Sequence, residues 1–415
     1  MLIRFTKLKP FRRLFSDYSK SKYFRVLGIE TSCDDTCAAI VDSDRKVLGE
    51  SKYSQSQVHA LHGGIIPEFA ESLHKHNLKS AVDEAVEKSQ LTVSDVDAIA
   101  VTVKPGMPLS LKVGLDYAKD LCTSYGKPLI PIHHMEAHAL TVRLLEDVNF
   151  PFLVLLISGG HSILALAESI SKYTILGETL DISPGVLFDR VSRRLKLRNR
   201  KEYAGLQGGV AVEKAAKFGN PLAITVNITN RKRDCNFNLA GLETFLKSYI
   251  GEQEELLGIS GSALLPNFHD VCASFQYALT KYICQRVETG IWYLNGKGIK
   301  IDTVVMSGGV ASNEFIKKML QHVCDHYDYR FVIPPRRLCT DNAVMVAWNG
   351  VERLRENMPT VAQDQFSLLK TEPRCPLGES IADEVGTMIW DGKYVSLRKF
   401  ILKPAELKEK EAHES

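Results

Sequence analysis

The chain has 415 residues, of which 45% are hydrophobic and 24% are charged, and its formal net charge is +3 at pH 7. This length and composition are typical of a globular protein with two domains or one large bilobal domain. The longest apolar run, 150–158, is shorter than a membrane-spanning helix requires. It predicts a buried strand, and we expect no membrane span.

The first 25 residues differ from the rest of the chain. They contain eight Lys and Arg residues and one acid, Asp17, with Phe and Leu interspersed and no continuous apolar segment. This pattern argues against a secretory signal and is typical of a mitochondrial transit peptide; the alternative is a flexible basic tail. Removing these residues changes the net charge from +3 to −4. Bulk charge therefore does not indicate a nucleic-acid partner.

The following residues predict an alternation of strands and helices. Short β-branched runs at 25–30, 37–42 and 46–54 predict three strands. Helical periodicity at about 67–89 and 109–125 flanks a strand at 97–103, and another strand at 127–133 runs into a helix that begins at a pair of histidines.

A second block with the same order begins at about 150. The sequence again reads as a strand, a turn of small residues and a strand, which predicts an internally duplicated α/β architecture without a clear sequence repeat. Further on, a strand ends in a third glycine turn that we expect to lead into a helix. A last helix opens at 340–342, and residues beyond about 365 are expected to be weakly structured or wrapped on the surface.

The segment 132–139, IHHMEAHA, has the spacing of a metal site. His134 and His138 lie four residues apart, so they share one face of a helix and are able to bind one ion. Zinc proteases place a glutamate directly after the first histidine, whereas Glu136 points about 200° away, which excludes that class. A carboxylate from elsewhere would complete the site, and Asp341 in CTDN is the best candidate. The alternative is that the histidines are capping or core residues.

Two Ser-Gly-Gly turns, 158–160 and 307–309, each follow an apolar strand. Glycine turns present backbone N–H groups to anionic ligands, although ordinary tight turns use the same residues. Two such turns favour a nucleotide cleft, and the absence of a Walker A or GxGxxG motif disfavours P-loop and Rossmann folds. Between them, Asp189 could accept ribose hydroxyls or could serve as a surface ion-pair partner. The basic runs 190–201, 231–233 and 336–337 either contact RNA phosphates or form solvated helix faces.

Taken together, these motifs resemble those of a known family. GIETSCDDT, HHMEAH, LLISGGHS, LDISPGVLFDR, SGGVASN and CTDN occur in the order found in the tRNA N6-threonylcarbamoyladenosine synthases, formerly called O-sialoglycoprotein endopeptidases. The resemblance covers about residues 26–350, and the basic leader makes the chain look like a mitochondrial member. One segment departs from the family: FNLAGLET, 237–244, has Ala240 and Glu243 where the family carries a hydroxyl and a cation.

The resemblance implies a two-lobed α/β fold of the actin-like, sugar-kinase-like (ASKHA) class with duplicated βαβ-type lobes. It implies a transit peptide at 1–25, an N-terminal lobe with the metal-binding helix at 26–150 and a second lobe with the nucleotide-binding turns at 151–340. Residues 341–415 would form a C-terminal helix that returns to the first lobe, followed by a flexible tail.

The resemblance also implies the site residues. One divalent ion per subunit, with Fe, Zn and Mg not distinguished, would be held by His134, His138 and Asp341. The residues expected to bind the adenylate are Leu156, Ile157, Ser158, Gly159, Gly160, Asp189, Gly209, Glu213 and Asn313, the last at the base end.

The implied reaction transfers the threonylcarbamoyl group of L-threonylcarbamoyl-AMP to N6 of adenosine 37 in mitochondrial tRNAs that read ANN codons, and it releases AMP. A separate synthase would supply the donor, and a homodimer in the mitochondrial matrix is expected by analogy. No covalent nucleophile is assigned, and Glu30 and Asp34 are candidates for a general base. The competing hypotheses are an actin-fold ATPase or small-molecule kinase and a non-catalytic tRNA-binding protein.

Overall fold

The computed structural model describes residues 23–61, 65–226 and 232–401. Most of the expected transit peptide lies outside these ranges. The described residues form two compact units. The first comprises the residues up to Leu144 together with Asp341–Pro376, and the second comprises Leu145–Thr340 together with the residues from Leu377 on. This division differs from the expected one at two points: the first segment of the first unit ends at Leu144 rather than at 150, and the residues after Pro376 group with the second unit.

The first unit contains a five-stranded sheet and its helices. Its strands are β1 (Arg25–Glu30), β2 (Asp35–Asp42), β3 (Val47–Ser54), β4 (Ala98–Lys104) and β5 (Leu129–His133). Its helices are α1 (Ser56–Leu61), α2 (Pro67–Ser89), α3 (Pro108–Tyr125), α4 (His134–Leu145) and, later in the chain, α11 (Ala343–Arg355). The strand order is β3-β2-β1-β4-β5.

Helices α2 and α3 show why the sequence prediction succeeds here. Both begin with proline, whose fixed φ suits the first turn and whose missing N–H has no partner there. Helix α3 ends at Gly126, which has a φ of 63°, the left-handed conformation that terminates many helices. The predicted helices at 67–89 and 109–125 are confirmed to within one residue.

The second unit contains a six-stranded sheet. Its strands are β6 (Phe152–Ile157), β7 (Ser162–Ala167), β8 (Tyr173–Glu178), β9 (Thr303–Ser307), β10 (Arg330–Val332) and β11 (Glu379–Ser380). Its helices are α5 (Pro184–Arg194), α6 (Gly208–Ala216), α7 (Ala240–Leu256), α8 (Phe268–Gly296), α9 (Glu314–His326), α10 (Arg336–Cys339) and α12 (Ala382–Thr387). The strand order is β10-β9-β6-β7-β8-β11.

The two sheets share one topology. In each, the first three strands form an antiparallel meander, and the first strand also pairs in parallel with the fourth, which pairs in parallel with the fifth. The second sheet adds β11 beside β8. This repetition confirms the duplicated α/β fold that the sequence predicts. Two segments with the same hydrophobic pattern and the same strand order are able to form the same sheet from different residues. The shared topology therefore needs no visible sequence repeat.

Each sheet packs against helices through its own hydrophobic core. In the first unit, apolar side chains of β1, β2 and β4 pack with those of α2 and α3. In the second, α8 is buried along most of its 29 residues and is the central helix of the core. Among the helices in the described ranges, none has both the length and the apolar character needed to cross a bilayer.

Candidate metal and nucleotide sites

The histidine pair lies where β5 runs directly into α4. His134 is the first residue of the helix and His138 lies one turn later, so the two rings meet with centroids 4.6 Å apart. Asp341 comes from a distant part of the sequence. It precedes α11, whose first turn is capped by the side-chain oxygen of Asn342, which accepts a bond from the Met345 N–H at 2.9 Å.

These three side chains converge on one point. Asp341 Oδ1 lies 3.1 Å from His138 Nε2 and 3.4 Å from His134 Nε2, and the three ligand atoms all lie within 4.8 Å of one another. Nitrogen and oxygen ligands about 2.1 Å from a tetrahedral ion are separated by about 3.4 Å. The spacing therefore fits a metal ion, and two imidazoles with one carboxylate form a donor set that Fe and Zn commonly use.

The local charge also fits a cation. Glu30 is completely buried beside His134, with 3.3 Å between Glu30 Oε2 and His134 Nδ1. Burial alone would lower the pKa of His134, but the charges and hydrogen bonds of Asp341 and Glu30 together raise it to about 10. Burial lowers the pKa of His138. One divalent ion would balance the two negative charges of Glu30 and Asp341 beside two neutral imidazoles.

The backbone at Asp341 is held by a second group of residues. Lys52 Nζ donates a 2.7 Å hydrogen bond to the Asp341 carbonyl oxygen and forms a 2.6 Å ion pair with Asp35. Sequence reasoning did not find this lysine, because nothing in the spacing of 52 and 341 indicates that they are neighbours.

Glu136 is directed away from the histidines. It is buried, and its Oε2 lies 2.5 Å from Arg353 Nη2 on α11. Burial raises its pKa, although the nearby Arg353 opposes that shift. The carboxylate is therefore a structural ion-pair partner, and the orientation argued from the helix period is confirmed. A protease-type general base at this position is excluded.

The two glycine turns lie side by side in the second unit. Strands β6 and β9 are parallel, with Leu156 opposite Ser307, so their carboxyl ends reach the same edge of the sheet. Gly308 has a φ of 101°, and a Cβ there would lie 2.4 Å from the Ile157 carbonyl oxygen. Only glycine fits this approach. The turn leads into a short 3-10 helix, 309–312, which is followed by α9, in line with the predicted order of strand, glycine turn and helix.

The first turn also contacts the start of α5. Ser183, the N-cap of α5, donates to the Gly159 carbonyl oxygen at 2.6 Å. The side chains of Leu156 and Ile157 are buried in the core, so these two residues are able to contact a ligand only through their backbone. Gly159 and Gly160 are exposed, and no neighbouring atom lies within 4 Å of the position that a Cβ would take at either.

Asp189 lies beside the start of α6. Part of this residue is exposed, but the surrounding protein still removes water from its carboxyl group, which raises the pKa of Asp189. A hydrogen bond from the Gly208 N–H opposes this shift. A Cβ at Gly208 would lie 2.3 Å from Asp189 Oδ1, whereas one at Gly209 would meet nothing closer than Phe188 at 3.8 Å. Sequence reasoning selected Gly209, but the structure places its neighbour Gly208 against Asp189.

Glu213 and Asn313 meet at the start of α9. Asn313 caps this helix by accepting from the Ile316 N–H at 3.0 Å, and it donates to Gln276 Oε1 at 3.1 Å. Glu213 Oε1 accepts from the Glu314 N–H at 2.8 Å. Glu213 and Gln276 also line a cavity of about 340 Å³. Glu213 and Asn313 thus both have structural partners, and Glu213 also borders a space of ligand size.

Three of the seven basic residues of the run 190–201 pair with nearby acids. Arg190 pairs with Glu243 at 2.7 Å, and Arg194 and Lys196 pair with Glu254 at 2.6 and 2.8 Å. The departure at Glu243 therefore provides a partner for Arg190. Arg231, in a second basic run, lies outside the described residues.

Comparison with known proteins places these features in one family. The family model for TsaD, tRNA N6-adenosine threonylcarbamoyltransferase, matches residues 46–348. Three relatives named "tRNA N6-adenosine threonylcarbamoyltransferase, mitochondrial" align over nearly the whole chain. The Mus musculus protein is 44% identical over 387 residues (92% of this chain, 93% of the relative). The Danio rerio protein is 43% identical over 378 residues (90% and 93%), and the Homo sapiens protein is 42% identical over 386 residues (92% and 93%). The chain belongs to the tRNA N6-adenosine threonylcarbamoyltransferase family.

Proposed function

We propose that the chain transfers the threonylcarbamoyl group of L-threonylcarbamoyl-AMP to N6 of adenosine 37 in mitochondrial tRNAs that read ANN codons, releasing AMP. The observation that carries this proposal is the convergence of His134, His138 and Asp341 in a member of this family. A kinase of the same fold class would have no need for this group.

In this proposal one divalent metal ion per subunit is held by His134 Nε2, His138 Nε2 and an oxygen of Asp341. When bound, such an ion polarises a carbonyl or holds a phosphate and so stabilises the charge that develops during acyl transfer. Two imidazole ligands favour Fe or Zn over Mg, which prefers oxygen ligands.

The glycine turns of the second unit would bind the adenylate. Backbone groups at 156–160 would contact the phosphate side, Asp189 would accept the ribose hydroxyls, and Gly209, Glu213 and Asn313 would border the base. The cavity beside Glu213 and Gln276 supports the base end of this assignment. Holding the leaving group in one orientation lowers the entropic part of the barrier.

Adenosine 37 would attack directly, with its amine positioned by the tRNA. The chemistry of Cys33 supports the absence of a covalent intermediate, because burial raises the pKa of this thiol well above its usual range. A protonated thiol is a poor nucleophile.

The remaining assignments rest on the relatives and the leader. The three relatives are named as mitochondrial, and the leader has the composition of a transit peptide, so we place the protein in the mitochondrial matrix. A separate synthase would supply threonylcarbamoyl-AMP, and the protein would act as a homodimer.

The proposal is tested by incubating the purified, metal-loaded protein with threonylcarbamoyl-AMP and unmodified mitochondrial tRNA, followed by nucleoside analysis. We expect one threonylcarbamoyladenosine per tRNA, and none in a matched tRNA with guanosine at position 37. A folded, metal-loaded protein that forms no modified adenosine would contradict the proposal. Phosphate transfer from ATP to a small molecule would instead support the kinase hypothesis.

A further inference from the structure

Glu30 is a buried carboxylate for which the proposed reaction has no assigned role. It is the last residue of β1, a central strand of the first sheet, and its side chain is completely shielded from solvent. Isolating a carboxylate in this way is costly unless its oxygens are hydrogen-bonded and its charge is paired. Its position therefore requires a compensating partner.

The contacts of Glu30 identify that partner. Oε1 accepts from the Ser32 N–H at 2.6 Å, and Oε2 accepts from the Thr102 hydroxyl at 2.5 Å. Oε2 also lies 3.3 Å from His134 Nδ1. Within the described residues, His134 is thus the ion-pair partner of the Glu30 carboxylate. Both oxygens thus have partners and are closed to solvent, which favours a structural role for this carboxylate next to His134.

The two nitrogens of His134 face different surroundings. Nδ1 faces Glu30 Oε2 and lies 3.1 Å from Ser32 Oγ, while Nε2 faces Asp341 Oδ1 at 3.4 Å. A carboxylate acceptor at Nδ1 favours the ring form with its proton on that nitrogen, which leaves the Nε2 lone pair free for a metal. His138 differs, since its Nδ1 has no hydrogen-bond partner among the described residues.

We propose that Glu30 is a positioning residue that fixes the orientation and tautomer of His134, so that His134 binds the metal through Nε2. This inference rests on the metal site of the proposed function and adds a requirement to it. The histidine pair would then have one ring anchored by the sheet, through Glu30 on β1, and one ring held mainly by packing within α4 and by Asp341.

The first test is a cobalt titration of the purified full-length protein, followed by visible absorption. We expect Glu30→Gln to weaken Co²⁺ binding by about 10- to 100-fold and to change the ligand-field bands. Glu288→Gln is the matched control, because Glu288 is also a buried carboxylate but lies on α8 of the second unit, where it accepts from the Val395 N–H. This control should bind Co²⁺ as the wild type does.

Two outcomes of this titration would overturn the inference. Equal affinity and an identical spectrum for Glu30→Gln and the wild type would exclude positioning by Glu30 while leaving the metal site intact. A folded wild-type protein that binds no Co²⁺ would remove both the metal site and the inference that depends on it.

A second test needs no variant. In zinc-loaded protein labelled with ¹⁵N-histidine, the two nitrogens of His134 have distinct chemical shifts when one is protonated and the other is bound to metal. We expect a protonated Nδ1 and a zinc-bound Nε2. Coordination through Nδ1 would overturn the inference even if Glu30→Gln failed to fold.

Discussion

Glu136 of α4 and Arg353 of α11 form a buried ion pair with 2.5 Å between Oε2 and Nη2. Helix α4 carries His134 and His138, and α11 begins directly after Asp341 and Asn342. The pair thus joins the two segments that carry the three proposed metal ligands. The role of Glu136 in the HxExH segment is therefore to hold α4 and α11 together rather than to take part in the chemistry.

We therefore expect Glu136→Ala to lower the free energy of unfolding by roughly 3–5 kcal/mol, because it leaves a largely buried guanidinium without its partner. Urea unfolding followed by circular dichroism would measure this change. Lys79→Ala, which removes an exposed ion pair with Asp83 on α2, should change it by less than about 0.5 kcal/mol. Similar values for the two variants would contradict a structural role for Glu136.

His138→Ala should reduce tRNA modification by at least about 100-fold, because it removes one of three proposed metal ligands. Removing this buried ring leaves a cavity and takes the 3.1 Å contact from Asp341, so activity is compared at a temperature where circular dichroism shows the variant to be folded. Metal content, measured by atomic emission, should fall in parallel with activity. His76→Ala, an exposed histidine on α2, serves as the control, and wild-type turnover in His138→Ala would mean that the histidines are structural.

Gly208→Ala and Gly296→Ala form a matched pair that tests Asp189. A Cβ at Gly208 would lie 2.3 Å from Asp189 Oδ1, so the carboxylate or the start of α6 must shift, whereas a Cβ at Gly296, at the end of α8, would meet no neighbouring atom within 4 Å. We expect Gly208→Ala to weaken AMP binding about 10-fold or more and Gly296→Ala to have little effect, as measured by calorimetry. Unchanged AMP binding in Gly208→Ala would contradict a role for Asp189 in holding AMP.

Glu288 in α8 predicts a pH-dependent stability. Burial raises its pKa from 4.5 to about 7, although the Val395 N–H and the Tyr327 hydroxyl oppose the shift. The folded state therefore favours the protonated carboxyl, and the stability that this group contributes is present below about pH 4.5 and is lost as the pH rises through 7. The glutamine of Glu288→Gln does not titrate, so this variant lacks the loss of stability that Glu288 causes as the pH rises.

The free energy of unfolding of Glu288→Gln relative to the wild type should increase by about 2–3 kcal/mol between pH 5 and pH 8. Chemical denaturation at both pH values would measure it. Glu356→Gln, at an exposed position, should follow the wild-type curve. A pH-independent difference between Glu288→Gln and the wild type would show that Glu288 does not titrate in this range.

The limits of prediction from sequence are visible in particular residues. Helix α2 was predictable because 23 residues of consistent periodicity begin with a proline. The meeting of His134 and His138 follows from helix geometry alone, and the resemblance supplied Asp341. The link from Glu30 to His134 was not predictable, since it depends on parallel pairing of β1 with β4 and of β4 with β5. The choice between Gly208 and Gly209 required backbone coordinates, because adjacent glycines are equivalent as letters.

The first unit is discontinuous: it ends at Leu144 and resumes at Asp341. During synthesis, or during passage through an import channel from the amino end, both imidazoles emerge more than two hundred residues before the aspartate that would close the ion's coordination. A nascent chain would therefore lack a complete metal site until residue 341 of 415 has emerged. Metal loading would then be one of the last steps of maturation, and products truncated before Asp341 would be unable to retain the ion.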